Sequence, residues 1–276
     1  MKLRALLLVT AFTCFTPFAF ATHFAGTWDI TLYGDTNISD GVTIGSSSAT
    51  LELTTSDSIQ YTAELTSGES TASYTMNRNN SLLSLTPQPA EFDTWTLCNS
   101  YMFSDGSNGA FLLMGQDSPA DISINVSGWT DAVSPVSLSD ISGVWSLNVV
   151  EDWNLRSDPL EAFTLSTRQL TISDAGNGQA NVDIELTSDE GMQQLLMNFD
   201  GNILTPASQP DNCILSHFAI YTDGQGLALA RIATELDDAT DVSVTIGLGQ
   251  PVPEPATLSI LALGGLMVLR RQKCDV

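Results

Sequence analysis

Positive charge is what this chain of 276 residues has least of. It carries nine Lys and Arg against 32 Asp and Glu, a formal net charge of −23. Lysine stands at Lys2 and Lys273 and nowhere between, so the long centre of the chain has no lysine amine. An acidic field of this size repels polyphosphate backbones and argues against nucleic acid as a partner. Anionic polysaccharide or lipid headgroups would approach it only through bridging divalent cations.

Histidine is nearly as scarce, with His23 and His217 alone. No Gly-x-Ser-x-Gly, His-Glu-x-x-His or P-loop pattern is present. His217 therefore reads as a packed or surface residue rather than a general base. Carboxylates are so numerous that chance pairs carry no specific support for paired-acid hydrolysis. The cluster Asp237, Asp238, Asp241 and the two Asp-Gly turns at 105–106 and 223–224 offer oxygen ligands for Ca²⁺. They lack the spacing of calcium loops and read as ordinary turns. The expectation is a protein without catalytic residues, cofactor or resident metal.

Long hydrophobic runs are confined to the two ends. Residues 1–21 read as a secretory signal peptide: Lys2 and Arg4 precede an apolar stretch, and Ala19-Phe20-Ala21 has the small-x-small cleavage pattern. At the other end, residues 251–276 contain Val252-Pro253-Glu254-Pro255, an apolar run from Ala256 to Leu269, and a basic stop at Arg270, Arg271 and Lys273. An apolar helix of that length spans roughly 21 Å, short of the ~30 Å hydrocarbon core. The basic residues after it favour a cytoplasmic C-terminus, and the prolines keep the preceding segment extended. Read on physics alone, this is a short C-terminal anchor behind a Pro-rich stalk. In order and wording it resembles the PEP-CTERM sorting tail. That resemblance implies an exosortase-type processing enzyme as partner, a transient inner-membrane anchor, and a Gram-negative cell surface or exopolysaccharide-rich matrix as destination.

With both ends set aside, four arginines, Arg78, Arg156, Arg168 and Arg231, face 30 acidic residues, a net charge of −26. This centre is duplicated. Phe24-Ala-Gly-Thr-Trp28 returns as Ile141-Ser-Gly-Val-Trp145, Cys98 as Cys213, Phe103-Ser-Asp-Gly106 as Tyr221-Thr-Asp-Gly224, and Ile122-Ser-Ile-Asn125 as Val242-Ser-Val-Thr245. The order is kept, so units 22–130 and 131–250 are expected to share one fold. Period-2 alternation, as in Tyr61-Thr-Ala-Glu-Leu65 and Val182-Asp-Ile-Glu-Leu186, with Gly-rich turns between runs, predicts about eight short antiparallel strands in each. One stretch conflicts: Met192, Leu195, Leu196 and Phe199 are spaced like a helix face. Its partner, residues 70–76, is strand-like, and the repeat predicts a strand in both.

The fold class is all-β, with two tandem units that are either barrels or sandwiches, plus an N-terminal signal helix and a short C-terminal hydrophobic helix. The recurrent Gly26-Thr-Trp28 and Gly143-Val-Trp145 resemble the opening motif of lipocalin-like barrels, in which the tryptophan plugs the floor. That resemblance implies a late-strand arginine over the tryptophan, a place Arg231 would take in the second unit, with its first-unit counterpart near Met114. It also implies an apolar ligand pocket as an alternative function. Cys98 and Cys213 are a candidate disulfide in an exported protein, or two separately buried thiols if they point into different cores. A surface or matrix protein in a structural role leads, a small-ligand binder follows, and a secreted carbohydrate-active hydrolase comes last.

Overall fold

A computed structural model describes residues 24–40, 42–118, 121–152, 155, 163–187, 191–211, 213–236 and 241–253. The expected terminal helices lie outside these residues, as do Ala19, Ala21, Glu254, Pro255, Arg270, Arg271 and Lys273. Among the described residues no helix is long and apolar enough to cross a membrane.

The alternating segments become strands in both units. In the first they are β1 (Gly26–Asp35), β2 (Gly45–Thr54), β3 (Gln60–Ser67), β4 (Ser70–Asn79), β5 (Leu82–Leu85), β6 (Ala90–Glu91), β7 (Thr96–Ser104), β8 (Asn108–Ser118) and β9 (Asp121–Thr130). Neighbours pair antiparallel, β9 returns to β1, and β5 pairs with β7, so an eight-strand circuit closes. The two-residue β6 adds a hairpin on β7. The second unit is a closed barrel of β10 (Gly143–Asp152), β11 (Thr164–Gly176), β12 (Gln179–Thr187), β13 (Gly191–Asp200), β14 (Ile203–Pro206), β15 (Cys213–Thr222), β16 (Leu227–Glu235) and β17 (Val242–Pro251). Closure in both decides barrel over sandwich, because it leaves no free sheet edge.

Alternation sets which side chains face inward. In barrel 1, Ile30, Leu32, Leu51, Leu53, Tyr61 and Met76 are buried in one interior cluster. In barrel 2, Trp145, Leu147, Val149, Leu170, Val182 and Met197 form another. The ambiguous stretch is strand β13: Leu195 and Met197 point inward while Met192 and Leu196 are exposed, so period 2 holds and the helix-like spacing was coincidental.

A third cluster lies between the barrels. The outer faces of β7, β8 and β9 pack on those of β15, β16 and β17, through Tyr101, Leu112, Ile124, Ala230, Val244 and Ile246 among others. These strands are buried on both faces, and β7 is buried at every position after its first. The central strands β8 and β16 accordingly carry continuous apolar runs, Ala110-Phe-Leu-Leu-Met114 and Leu227-Ala-Leu-Ala230, rather than alternating ones. Glycine permits the close approach: a Cβ on Gly128 would lie 2.2 Å from the Tyr221 ring. Tyr33 of barrel 1 stacks on His217 of barrel 2 with centroids 4.2 Å apart.

Candidate functional site

The floor of each barrel is built by its Gly-x-Trp. Gly26 and Gly143 take φ of +139° and +136°, a region open to glycine and strained for other residues. A Cβ on either would meet nothing within 4 Å, so the constraint is on the backbone and not on space. The bend turns each indole back on its own chain. Trp28 Nε1 donates to Phe24 O at 2.9 Å, and Trp145 Nε1 donates to Ile141 O at 2.8 Å. A buried indole N–H needs an acceptor, and both copies find the carbonyl four residues upstream. Trp145 is buried in its barrel; Trp28 is half-buried and leans on Trp129, with centroids 5.2 Å apart.

The start of the C-terminal tail is zipped to that floor. In the β10–β17 register Pro251 stands opposite Trp145, and the Val252 N–H donates to Val144 O at 2.8 Å. Val252 and Pro253 are exposed. No stalk separates the barrel from the Val252-Pro253 step: the wall of barrel 2 runs directly into it.

Further along the same interior the two barrels part company. Glu151, Arg168, Arg231 and Thr245 all lie on inward-facing positions of barrel 2, in register with Leu147, Val149 and Leu229. Glu151 is 1% exposed, and its Oε1 accepts from Arg168 Nη2 and from Ser166 Oγ, each at 2.6 Å. Arg231 is also buried and donates through Nη1 to Ser243 Oγ at 3.0 Å. The barrel 1 positions equivalent by register are Gly34, Ala49, Leu113 and Asn125. Neither Glu151 nor Arg168 was singled out from the sequence. The signal was there, in two of the few central arginines falling on inward positions of strands.

Arg231 does not cover Trp145 as the lipocalin resemblance implied. Its register row runs through Thr245 to Glu151, about 20 Å along the strand from Trp145 at ordinary strand rise. Its register counterpart in barrel 1 is Leu113, the neighbour of Met114. An arginine does sit by the floor of barrel 1, but it is Arg78, whose guanidinium lies 5.7 Å from the Phe24 ring.

Residues 251–273 match the model of the PEP-CTERM protein-sorting motif. The chain carries a PEP-CTERM sorting motif. The motif implies an exported protein that an exosortase-type enzyme processes, held for a time in the membrane. No curated relative matches the chain. Among solved structures, a DUF3598-family protein of unknown function from Nostoc punctiforme aligns with TM-score 0.39 and 11% identity, over 83% of this chain and 96% of that one. A Bacteroides fragilis protein assigned provisionally to the outer membrane aligns with TM-score 0.29 and 10% identity, over 84% of this chain and 99% of that one.

The remaining candidate residues of this PEP-CTERM chain are structural in their surroundings. Cys98 and Cys213 are not bridged to each other: Cys98 is buried in the cluster between the barrels, and Cys213 is half-buried against the interior of barrel 2. Repeat-equivalent cysteines thus serve two different cores, which is the geometry that leaves a bridge unformed. Burial, reinforced by nearby Glu91, pushes the Cys98 thiol up to about 11. Burial likewise lowers His217 to about 4, so it is neutral at pH 7. Both Asp-Gly turns close on themselves. Asp105 Oδ1 accepts from the N–H groups of Ser107 and Asn108, and Asp223 Oδ1 from those of Gln225 and Gly226. Of the acidic cluster, Asp237 and Asp238 lie outside the described residues. Among the described residues, no group of three or more His, Cys, Asp or Glu is placed to hold a metal.

The two described grooves, about 450 and 480 Å³, lie on outer walls. The first is lined by Asn181, Gln193, Gln194, Gln209 and Asp211, the second by Asp29, Thr31, Ser48, Thr50 and Thr66. Inside barrel 2, the space a side chain at Gly247 or Gly249 would need is taken by Val149 and Leu147, each 2.7 Å from the added Cβ.

Proposed function

We propose that this chain is an exported surface or extracellular-matrix protein with a structural or interaction role and no enzymatic activity, delivered by its sorting motif. The observation that carries this reading is the motif at residues 251–273, which continues the last strand of the second barrel without a spacer. The strongly acidic composition supports it, since such a surface stays soluble and self-repelling outside the cell. So does the distribution of features between the repeats. What is duplicated, the floor tryptophans, the Asp-Gly turns and the faces that join the barrels, is architecture. Contact with exopolysaccharide, direct or through divalent cations, suits the hydroxyl- and carboxylate-rich outer wall formed by β1, β2 and β3.

The test is deletion of Val252 to Val276 in the producing cell, followed by fractionation. Loss of the surface-retained pool, with folded protein appearing in another fraction, is the expected outcome. Unchanged surface retention would overturn the reading.

A further inference from the structure

Glu151 and Thr245, opposite each other on β10 and β17, each carry a buried oxygen with no protein hydrogen-bond partner. Glu151 uses Oε1 for Arg168 and Ser166, while its Oε2 has no hydrogen-bond partner. Thr245 Oγ1, on the residue directly opposite in the β10–β17 register, has none either. Glu151 is 1% exposed and Thr245 5%, so bulk water does not serve them. A buried acceptor left unmade is costly, and a charged one more so.

We propose that these two atoms are the recognition point of a small-molecule site, and that its ligand is a neutral hydroxylated compound, a polyol or a free sugar. A hydroxyl answers both atoms through one oxygen: its O–H donates to Glu151 Oε2, and its lone pair accepts from the Thr245 hydroxyl. A cationic donor would enter an interior that already holds the Arg168 and Arg231 guanidinium groups, and like charge opposes it.

Among the described residues, pairing between β11 and β12 runs from Gly176–Gln179 up to Leu170–Ile184, while residues 164–169 of β11 pair with β10. The Arg168 side chain is 13% exposed and Ser166 is half-buried, so the cluster reaches toward the surface on the β11 side. In barrel 1 Ala49, at the position of Arg168, pairs with Ser67 beside the hairpin. There the counterpart of Glu151 is Gly34, where an added Cβ would lie 2.4 Å from Asn125 Oδ1 and 2.0 Å from Ile124 O. Barrel 1 closes with no acidic side chain at this inward position.

The experiment is calorimetric titration of the purified protein with glycerol, sorbitol, glucose and galactose, with ammonium chloride and sodium acetate as comparators. Saturable binding of at least one hydroxylated probe is expected. It should weaken about tenfold in the near-isosteric Thr245→Val and be lost in Glu151→Gln. Thr245→Val keeps the test decisive where Glu151→Gln does not fold. Saturation by none of the four hydroxylated probes, equal binding by wild type and Thr245→Val, or preference for ammonium or acetate would each overturn the proposal. So would a crystal soaked in the best probe that shows a single water bridging Glu151 and Thr245. Fractionation of the tail deletion reads a different property, so either reading can fail alone.

Discussion

Barrel 1 and barrel 2 are two solutions to one chain-folding problem, and they differ most in one interior row. Their floors match down to the hydrogen bond, Trp28 to Phe24 and Trp145 to Ile141. Their Asp-Gly turns are capped the same way, and their β7–β9 and β15–β17 faces meet each other. The row that holds Gly34 and Asn125 in one barrel holds Glu151 and Thr245 in the other. Closure of the sheet does not require an ion pair in this row, as Gly34 and Asn125 of barrel 1 demonstrate. The charged row in barrel 2 is therefore not a requirement of the architecture, and repetition separates what the fold needs from what one copy has added.

The largest expected effect comes from breaking that added row. Arg168→Leu leaves Glu151 buried without its guanidinium and should destabilise barrel 2 by about 3–5 kcal/mol in a denaturant melt. The double variant Glu151→Leu with Arg168→Leu, which brings barrel 2 toward the apolar interior of barrel 1, should recover most of that loss. A double variant as unstable as the single one would mean that barrel 2, unlike barrel 1, needs its ion pair to fold.

A smaller and symmetrical effect is expected at the shared floor. Gly26→Ala and Gly143→Ala each force a Cβ into a strained backbone region, a cost of about 1–3 kcal/mol. Equal losses in thermal unfolding would confirm that the two floors are mechanically equivalent. A loss in one copy alone would break the symmetry.

The effect that grows only gradually, unit by unit of pH, sharpens the comparison at the joint between the barrels. His217, stacked on Tyr33, is held at about 4 by burial, below its ordinary value of 6.5. The folded protein therefore keeps it neutral where the unfolded chain would bind a proton. Its contribution to stability is full above about 6.5 and is lost as pH falls toward 4, at no more than about 1.4 kcal/mol per pH unit. His217→Gln should flatten stability over that window, while the floor variants should leave the slope unchanged.

Much of the fold was legible in residue order. Alternation and turn glycines marked the strands, and the repeat overruled the helix-like spacing of Met192, Leu195, Leu196 and Phe199. The interface between the barrels is also written in the chain, as apolar runs in β8 and β16 that break the alternation of a sheet with one wet face. The polar row could not be seen in the same way. Glu151 and Thr245 are 94 positions apart and become neighbours only when β17 closes on β10. The expected Arg231–Trp145 contact failed for the same reason, since register and not order decides which layer of a barrel a side chain joins.

By itself, then, the order of residues determined the duplication, the strand periodicity, the acidic balance and the sorting tail, because each depends on near neighbours or on composition. Only the tertiary structure decided that the sheets close, which faces meet, that the tail begins on the barrel wall, and that a carboxylate and a hydroxyl share one buried row. Those outcomes rest on pairing between distant strands, where a shift of one residue would turn every inward side chain outward.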